Sequence, residues 1–138
     1  MSSRIRLLVG TVVLVLLGGA VGVWLYGSRT PPSLSDHRVG VARLVPRPGI
    51  PPIPYEKVTL IDGSSVLLSV AGITDDGGPA RSEIGLRRLP GGTEEHFYLS
   101  QGQSRTSQGV QIELLHVWVM PDAGNSAADV RVTPASSH

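Results

Sequence analysis

The eleven residues VQIELLHVWVM, positions 110–120, decide the fold class of this 138-residue chain. Apolar and polar side chains alternate from Val110 to Leu114, with the period of two that a half-buried β-strand requires. After Leu114 the stretch is apolar on both faces except for His116, which indicates a central strand, and a bulge at Leu114-Leu115 would let it change sides. The sequence therefore predicts an all-β domain with this strand near its centre.

Five more short apolar runs accompany this one, each bounded by Gly, Pro, Asp or Asn clusters that are typical of turns. No window keeps a helical period for three turns, so we expect a small six-stranded sandwich or a partly open barrel. The six predicted strands are Lys57–Ile61, Val66–Ile73, Glu83–Leu89, His96–Leu99, Val110–Met120 and Asp129–Thr133. The alternation predicts a core of Val58, Leu60, Val66, Leu68, Val70, Ile84, Leu86, Phe97, Leu99, Val110, Ile112, Leu114, Trp118, Val130 and Val132.

A short motif occurs twice in this domain. The stretch LIDGSS at 60–65 and the stretch LSQGQS at 99–104 share L-x-x-G-x-S, and each precedes a long apolar strand, a turn and a shorter strand. Such a period predicts two similar three-strand units that bury their apolar faces against each other. Independent use of the same hairpin chemistry is the alternative.

Proline dominates the segment ahead of the domain. Seven of the eleven prolines lie between Pro31 and Pro54, a density that excludes a helix and favours extended backbone. We expect residues 27–54 to be a basic, semi-rigid spacer that holds the domain several tens of ångströms from its point of attachment, at ~3.1 Å per residue. Two alternatives stay open: a PxxP ligand at Pro48–Pro51, and a short strand within Arg38–Val45 that joins the domain edge.

The twenty residues from Leu7 to Tyr26 carry no charge and are mostly apolar. At ~1.5 Å per residue a helix of this length spans ~30 Å, the thickness of the bilayer hydrocarbon. Arg4 and Arg6 precede the stretch, while Trp24 and Tyr26 close it where aromatic rings prefer the headgroup level. The sequence predicts a single-pass transmembrane signal anchor with these four residues at the membrane interface, so the lipid bilayer is the first expected partner.

Three features of this anchor leave alternatives open. The small residues Gly18-Gly19-Ala20 could instead be the cleavage site of a signal peptide, which would release a secreted soluble protein. Gly18 and Gly22 form a small-xxx-small pair that favours a homodimer only weakly. The arginines before the anchor favour a cytoplasmic N-terminus and an extracytoplasmic domain, although Arg29, Arg38 and Arg43 nearly balance them. The predicted division is 1–6 cytoplasmic, 7–26 transmembrane, 27–54 linker, 55–134 β-domain and 135–138 disordered tail.

Charge and chemistry narrow the function. Residues 1–54 carry six Arg and one Asp, whereas residues 55–138 carry six basic and ten acidic side chains, so the domain is acidic and nucleic acid is not an expected partner. The chain has no cysteine, no G-x-S-x-G elbow and no phosphate-binding glycine motif. We therefore predict no cofactor, no metal site and no catalytic residues. A basic segment beside a membrane also favours anionic envelope polymers or lipid headgroups.

The remaining candidates are surface residues. Arg87 and Arg88 lie on one predicted strand, His96 and Tyr98 lie on the next, and His116 lies on the central one. The layout of anchor, proline-rich spacer and small β-domain resembles single-pass envelope proteins of unknown function from high-GC bacteria, which implies a location and a fold but no activity. The leading hypothesis is a binding or accessory module of an envelope complex. A small hydrolase or ligand carrier, with a site between the two β units that gathers His96 and His116, is the alternative.

Overall fold

A computed structural model describes residues 25–46 and 55–135 of the chain. These residues contain eight β-strands, one turn of 3₁₀ helix and a helical turn at 25–27. The all-β prediction is confirmed for this part of the chain. The strands are β1 Val41–Leu44, β2 Glu56–Thr59, β3 Ser65–Thr74, β4 Arg81–Leu89, β5 Glu95–Ser100, β6 Ser104–Ser107, β7 Val110–Trp118 and β8 Ala127–Pro134.

The strands form two four-stranded antiparallel sheets. Sheet 1 has the order β1-β8-β7-β6, and sheet 2 has the order β2-β3-β4-β5. Their inward side chains form one shared hydrophobic core, which gives a β-sandwich-like arrangement. The long central strands β3 and β7 thus each contribute a row of fully buried residues, as the alternating pattern predicts.

The predicted core is buried with one exception, Trp118. The register of β7 with β8 shifts between Leu114 and His116, so the predicted bulge is present. The shift turns Val117 inward to join the core and leaves Trp118 on the outer face of sheet 1. The bulge therefore explains why a strict alternation assigned Trp118 to the wrong face.

Two strands exceed the predicted six, and both are sheet edges. β1 pairs with β8, so the strand considered as an alternative within Arg38–Val45 is present and the domain begins before Tyr55. β6 pairs with β7, although its sequence SRTS has no apolar residue to indicate a strand. Edge strands with exposed faces need little apolar surface, which is why the sequence pattern did not reveal β6.

The grouping into two three-strand units is wrong. Six strands divided into two units in chain order would place β5 in the second unit, yet β5 pairs with β4 and completes sheet 2. The repeated L-x-x-G-x-S motif marks two tight turns, with Gly63 at φ +84° and Gly102 at φ +86°. The first turn joins β2 to β3 within sheet 2, and the second carries the chain from sheet 2 to sheet 1. The shared residues therefore reflect turn chemistry, because both turns need glycine in the left-handed region.

The segment 29–40, here called the docked segment, lies against sheet 1. The Arg29 carbonyl accepts a hydrogen bond from Asn125 Nδ2 at 3.3 Å, the Pro32 carbonyl accepts one from Arg43 Nη1, and the Gly40 carbonyl accepts one from the Val132 amide at 2.8 Å. The spacer predicted for 27–54 is thus corrected in its first half: residues 29–44 belong to the β-domain. The second half, from 47 to 54, lies outside the described residues.

Most of the predicted membrane anchor also lies outside the described residues. The same holds for the cytoplasmic n-region, the interface residues Arg4, Arg6 and Trp24, and the glycines Gly18 and Gly22. Tyr26 is described, and its exposed ring lies 5.2 Å from the Arg29 guanidinium. Over the ranges 25–46 and 55–135, no helix has both the length and the apolar character needed to cross a membrane.

The antiparallel order places the turns at two opposite ends of the sandwich. One end holds the turns 75–79 and 101–103 and the loop 119–126, and the Val117 amide bonds to Gln101 Oε1 there at 3.1 Å. The other end holds the turns 60–64, 90–94 and 108–109, where Arg88 bonds to Gln108. We call these the 119–126 end and the 108–109 end.

Candidate functional site

Three of the five predicted surface residues lie on one side of sheet 2. Ile84 and Leu86 point into the core from β4, so Glu83 and Arg87 point outward, and in β5 the same alternation places His96 and Tyr98 outward. The register pairs Glu83 with Tyr98 directly across the two strands. The outward side chains Arg81, Glu83, Arg87, His96 and Tyr98 together are called the β4–β5 face.

Tyr98 is the most prominent side chain of this face. It is 62% exposed, a large value for an aromatic residue in the middle of a strand. Its hydroxyl donates to Glu83 Oε2 at 3.3 Å, and the Arg81 guanidinium carbon lies 5.7 Å from its ring centre. The ring is therefore held in place by a carboxylate at one end and a cation over its face, while its other surface is open to solvent.

His96 belongs to a second set of contacts on the same face. Its Nε2 lies 2.9 Å from Glu94 Oε1, and the Tyr55 hydroxyl donates to the same oxygen. Tyr55 precedes β2 and Glu94 precedes β5, which are the two edges of sheet 2, so this contact crosses the outer side of β3 and β4. Arg87 Nε donates to the Gly92 carbonyl at 3.2 Å. The face thus presents charged groups already fixed by neighbours.

Ser69 lies beneath these groups, in the same cross-strand row as Gly85 and His96. Its side chain is 2% exposed, and its hydroxyl has no hydrogen-bond partner among the described residues. The space next to Gly85 is shared by the Ser69 hydroxyl and the His96 ring: a Cβ at Gly85 would overlap Ser69 Oγ and would lie 3.3 Å from His96 Nδ1. Ser69, His96 and Glu94 are neighbours, and the Ser69 hydroxyl makes no hydrogen bond to the imidazole.

Arg88 is outside the β4–β5 face. Its Nη1 donates to the Gln108 carbonyl at 2.7 Å, and its amide donates to Gln108 Oε1 at 3.1 Å. Gln108 has φ +51° and also donates from Nε2 to the Thr93 carbonyl at 2.8 Å. These bonds brace the turn between β6 and β7 against sheet 2, which assigns Arg88 a structural role.

His116 lies on the opposite side of the sandwich, on the outer face of sheet 1. Its ring is 3.9 Å from the Trp118 ring, centre to centre, and its strand position pairs with Asp129. His96 lies on the outer face of sheet 2, so the two histidines do not meet in a common pocket. The arrangement required by the hydrolase or carrier alternative is therefore not assembled in these residues.

The sequence did not reveal a polar cluster around Asp129. Arg43 donates to both carboxylate oxygens, from Nε at 2.7 Å and from Nη2 at 2.9 Å, and Trp118 Nε1 donates to Oδ2 at 2.8 Å. Burial raises the pKa of Asp129, but the bonds from Arg43 and Trp118 outweigh it and leave that pKa below its usual value. Only the strand register brings these residues together, because they are far apart in sequence.

Cavities flank the open side of the sandwich between β1 and β2. One of about 410 Å³ is lined by residues that include Arg43, Tyr55 and Ser69, and another of about 560 Å³ includes Leu34 and Val58. Within the described ranges no three His, Asp or Glu side chains are grouped so as to hold a metal ion. No protein-family model, curated protein or solved structure matches the chain.

Proposed function

We propose that the chain is a membrane-anchored binding module, with its β-domain outside the cytoplasm, that contacts an envelope protein or an anionic envelope polymer through the β4–β5 face. The observation that carries the proposal is the exposed, fixed ring of Tyr98 between Arg81 and Glu83. Tyrosine and arginine are enriched at protein interfaces and dominate their binding energy.

The contacts of Tyr98 with its neighbours lower the entropic cost of binding a partner. A side chain that is free in solution loses rotamer entropy when a partner immobilises it, at about 0.5–1.5 kcal/mol. The contacts to Glu83 and Arg81 already restrict the Tyr98 ring, so less of this cost falls on the binding step. Arg81 and Arg87 on the same face favour a partner surface that carries carboxylate, sulfate or phosphate groups.

The anchor part of the proposal rests on the sequence from Leu7 to Tyr26 and on the flanking Arg4 and Arg6. A homodimer through Gly18 and Gly22 is a weaker proposal of the same kind. Extraction of membranes at alkaline pH tests the retained anchor, because an integral protein stays with the lipid. N-terminal sequencing of the mature protein tests cleavage after Ala20.

Affinity capture from solubilised membranes tests the binding face. The full chain, the variant Tyr98→Ala and the variant Ile61→Ala are compared with residues 1–30 alone; Ile61 is 81% exposed but lies in the turn between β2 and β3. Loss of a central interface tyrosine costs about 2 kcal/mol, roughly a thirtyfold drop in affinity. We expect a partner that the parent chain and Ile61→Ala retain and that Tyr98→Ala loses. Equal capture by all three chains, or no enrichment over residues 1–30, would contradict the proposal.

A further inference from the structure

The docked segment begins beside the point where the sequence predicts the end of the membrane span. The Arg29 amide donates to the Tyr26 carbonyl at 3.3 Å, which closes a turn, and the Arg29 carbonyl accepts the bond from Asn125. Arg29 is only three residues beyond Tyr26. The 119–126 loop is therefore fixed within one turn of the last aromatic residue of the apolar stretch.

Further contacts hold the docked segment to the domain beyond Arg29. Arg43 Nη1 donates to the Pro32 carbonyl, and Arg43 itself is held by two bonds to Asp129. The segment then continues to Gly40, whose carbonyl bonds to the Val132 amide in the outer part of β8. Contacts at three successive places along the segment fix its direction relative to the strands, because a single contact would leave rotation free.

We propose that the loop Val119–Asn125 contacts the interfacial zone of the lipid bilayer, beside the emerging chain. The inference rests on the membrane anchor of the proposed function. Val119 is 43% exposed, and Pro121 and Ala123 are also exposed. Leu25 and Tyr26 expose apolar surface shortly before Arg29, the residue to which the loop bonds. Apolar and aromatic side chains of this kind are stabilised at the headgroup level.

The composition of the loop is compatible with this position. Its one carboxylate, Asp122, accepts a bond from the Gly124 amide at 3.0 Å, so part of its hydrogen-bonding capacity is satisfied within the protein. Arg29, beside Tyr26, supplies a cation that anionic headgroups attract. The loop therefore brings a small apolar surface and a neighbouring cation to the lipid.

With the 119–126 end at the membrane, the 108–109 end faces away from it. β7 has nine residues, so the 108–109 end lies about 30 Å beyond the 119–126 end along the strands. The β4–β5 face then lies along the side of the domain and faces sideways, toward other proteins of the same membrane. A free spacer, by contrast, would carry both ends of the domain away from the lipid.

Single-cysteine labelling tests this orientation, because the chain has no cysteine of its own. An environment-sensitive fluorophore is attached at Ala123→Cys in the loop or at Ile61→Cys at the 108–109 end. The full chain is reconstituted in vesicles of phosphatidylcholine and phosphatidylglycerol, with or without lipids that carry a nitroxide quencher on the headgroup. We expect the label at position 123 to lose more than half of its fluorescence and the label at position 61 to lose little.

Equal, weak quenching at positions 123 and 61 in chains that stay with the vesicles after an alkaline wash would overturn the loop contact. Chains that leave the vesicles in that wash would instead overturn the membrane anchor and, with it, the proposed function. Pro121→Cys is a second loop position if Ala123→Cys disturbs folding, with cooperative unfolding as the folding control for each variant.

Discussion

The substitution Asp129→Asn is expected to weaken both the sandwich and the attachment of the docked segment. The carboxylate accepts two bonds from Arg43 and one from Trp118, and Arg43 in turn bonds to the Pro32 carbonyl. Asparagine keeps one acceptor oxygen, but it loses the negative charge and the bidentate geometry. Arg43 would be left largely buried without its counter-charge.

The size of this effect follows from the burial of the pair. Breaking one partner of a buried ion pair costs about 3–5 kcal/mol, and the retained amide oxygen places the expected loss near 3 kcal/mol. In a domain of this size that lowers the melting temperature by about 10 °C or more. Asp36→Asn is the matched control, because Asp36 makes similar two-point contacts with Arg38 but at the surface, where screening leaves little net stability.

The pH dependence of stability supplies a second measure of the same pair. The pKa of Asp129 is below its usual value in the folded state, so its contribution is fully present above the ordinary pKa of an aspartate. The contribution is lost as the pH falls through the folded pKa. We therefore expect the parent protein to lose stability on acidification by more than Asp129→Asn does.

Denaturant unfolding of the full chain in detergent micelles provides the assay. In a Trp24→Phe background the fluorescence reports only Trp118, whose indole bonds to Asp129. The predicted result is a clear loss of stability in Asp129→Asn and almost none in Asp36→Asn. If the two variants unfold at the same denaturant concentration, the pair of Arg43 and Asp129 does not hold β1 and the docked segment to β8.

Three further outcomes are expected. In thermal unfolding, Gly85→Ala should lower the free energy of unfolding by about 1–3 kcal/mol, because the added Cβ would overlap Ser69 Oγ. Ser69→Ala in the same chain should restore part of that stability. An unchanged stability of Gly85→Ala would contradict this packing. Gln108→Ala should cost about 1–2 kcal/mol by removing two side-chain hydrogen bonds at a residue with φ +51°, whereas Gln108→Gly should cost less because it relaxes the backbone. The hydrogen bond from Ser107 lowers the pKa of Glu95, so the contact between β5 and β6 should weaken as the pH falls through that pKa. Hydrogen exchange of the amides at residues 104–107, corrected for its intrinsic pH dependence, should then become faster. Protection of these amides that stays constant as the pH falls would contradict this.

The sequence pattern predicted the long strands because each contributes apolar residues to one face. Apolar and polar residues alternate from Val110 to Leu114 in β7, and Val66, Leu68 and Val70 in β3 recur at every second position, as core residues of a strand must when one side is buried. The bulge after Leu114 was also predictable, since the pattern changes phase there. The same phase change places Trp118 on the outer face of sheet 1, whereas a strict alternation places it in the core.

Register and sheet membership could not be predicted in the same way. β6 has only polar residues, β1 lies in a basic, proline-rich segment, and β5 changes units without any signal in its own sequence. The contacts that define the candidate site depend on register: Tyr98 meets Glu83 across two strands, and Asp129 meets Arg43 across two others. Tyr98 and Arg87 were predicted as surface residues from alternation, but their neighbours were not.

Measuring on which side of the membrane the β-domain lies tests the proposed extracytoplasmic binding domain most directly. In intact cells, chains with Ile61→Cys or Ser3→Cys are treated with a membrane-impermeant maleimide before and after permeabilisation. We predict that the cysteine at position 61 is labelled in intact cells and that the one at position 3 is labelled only after permeabilisation. Labelling at position 3 but not at position 61 in intact cells, or labelling of both only after permeabilisation, would contradict an extracytoplasmic binding domain.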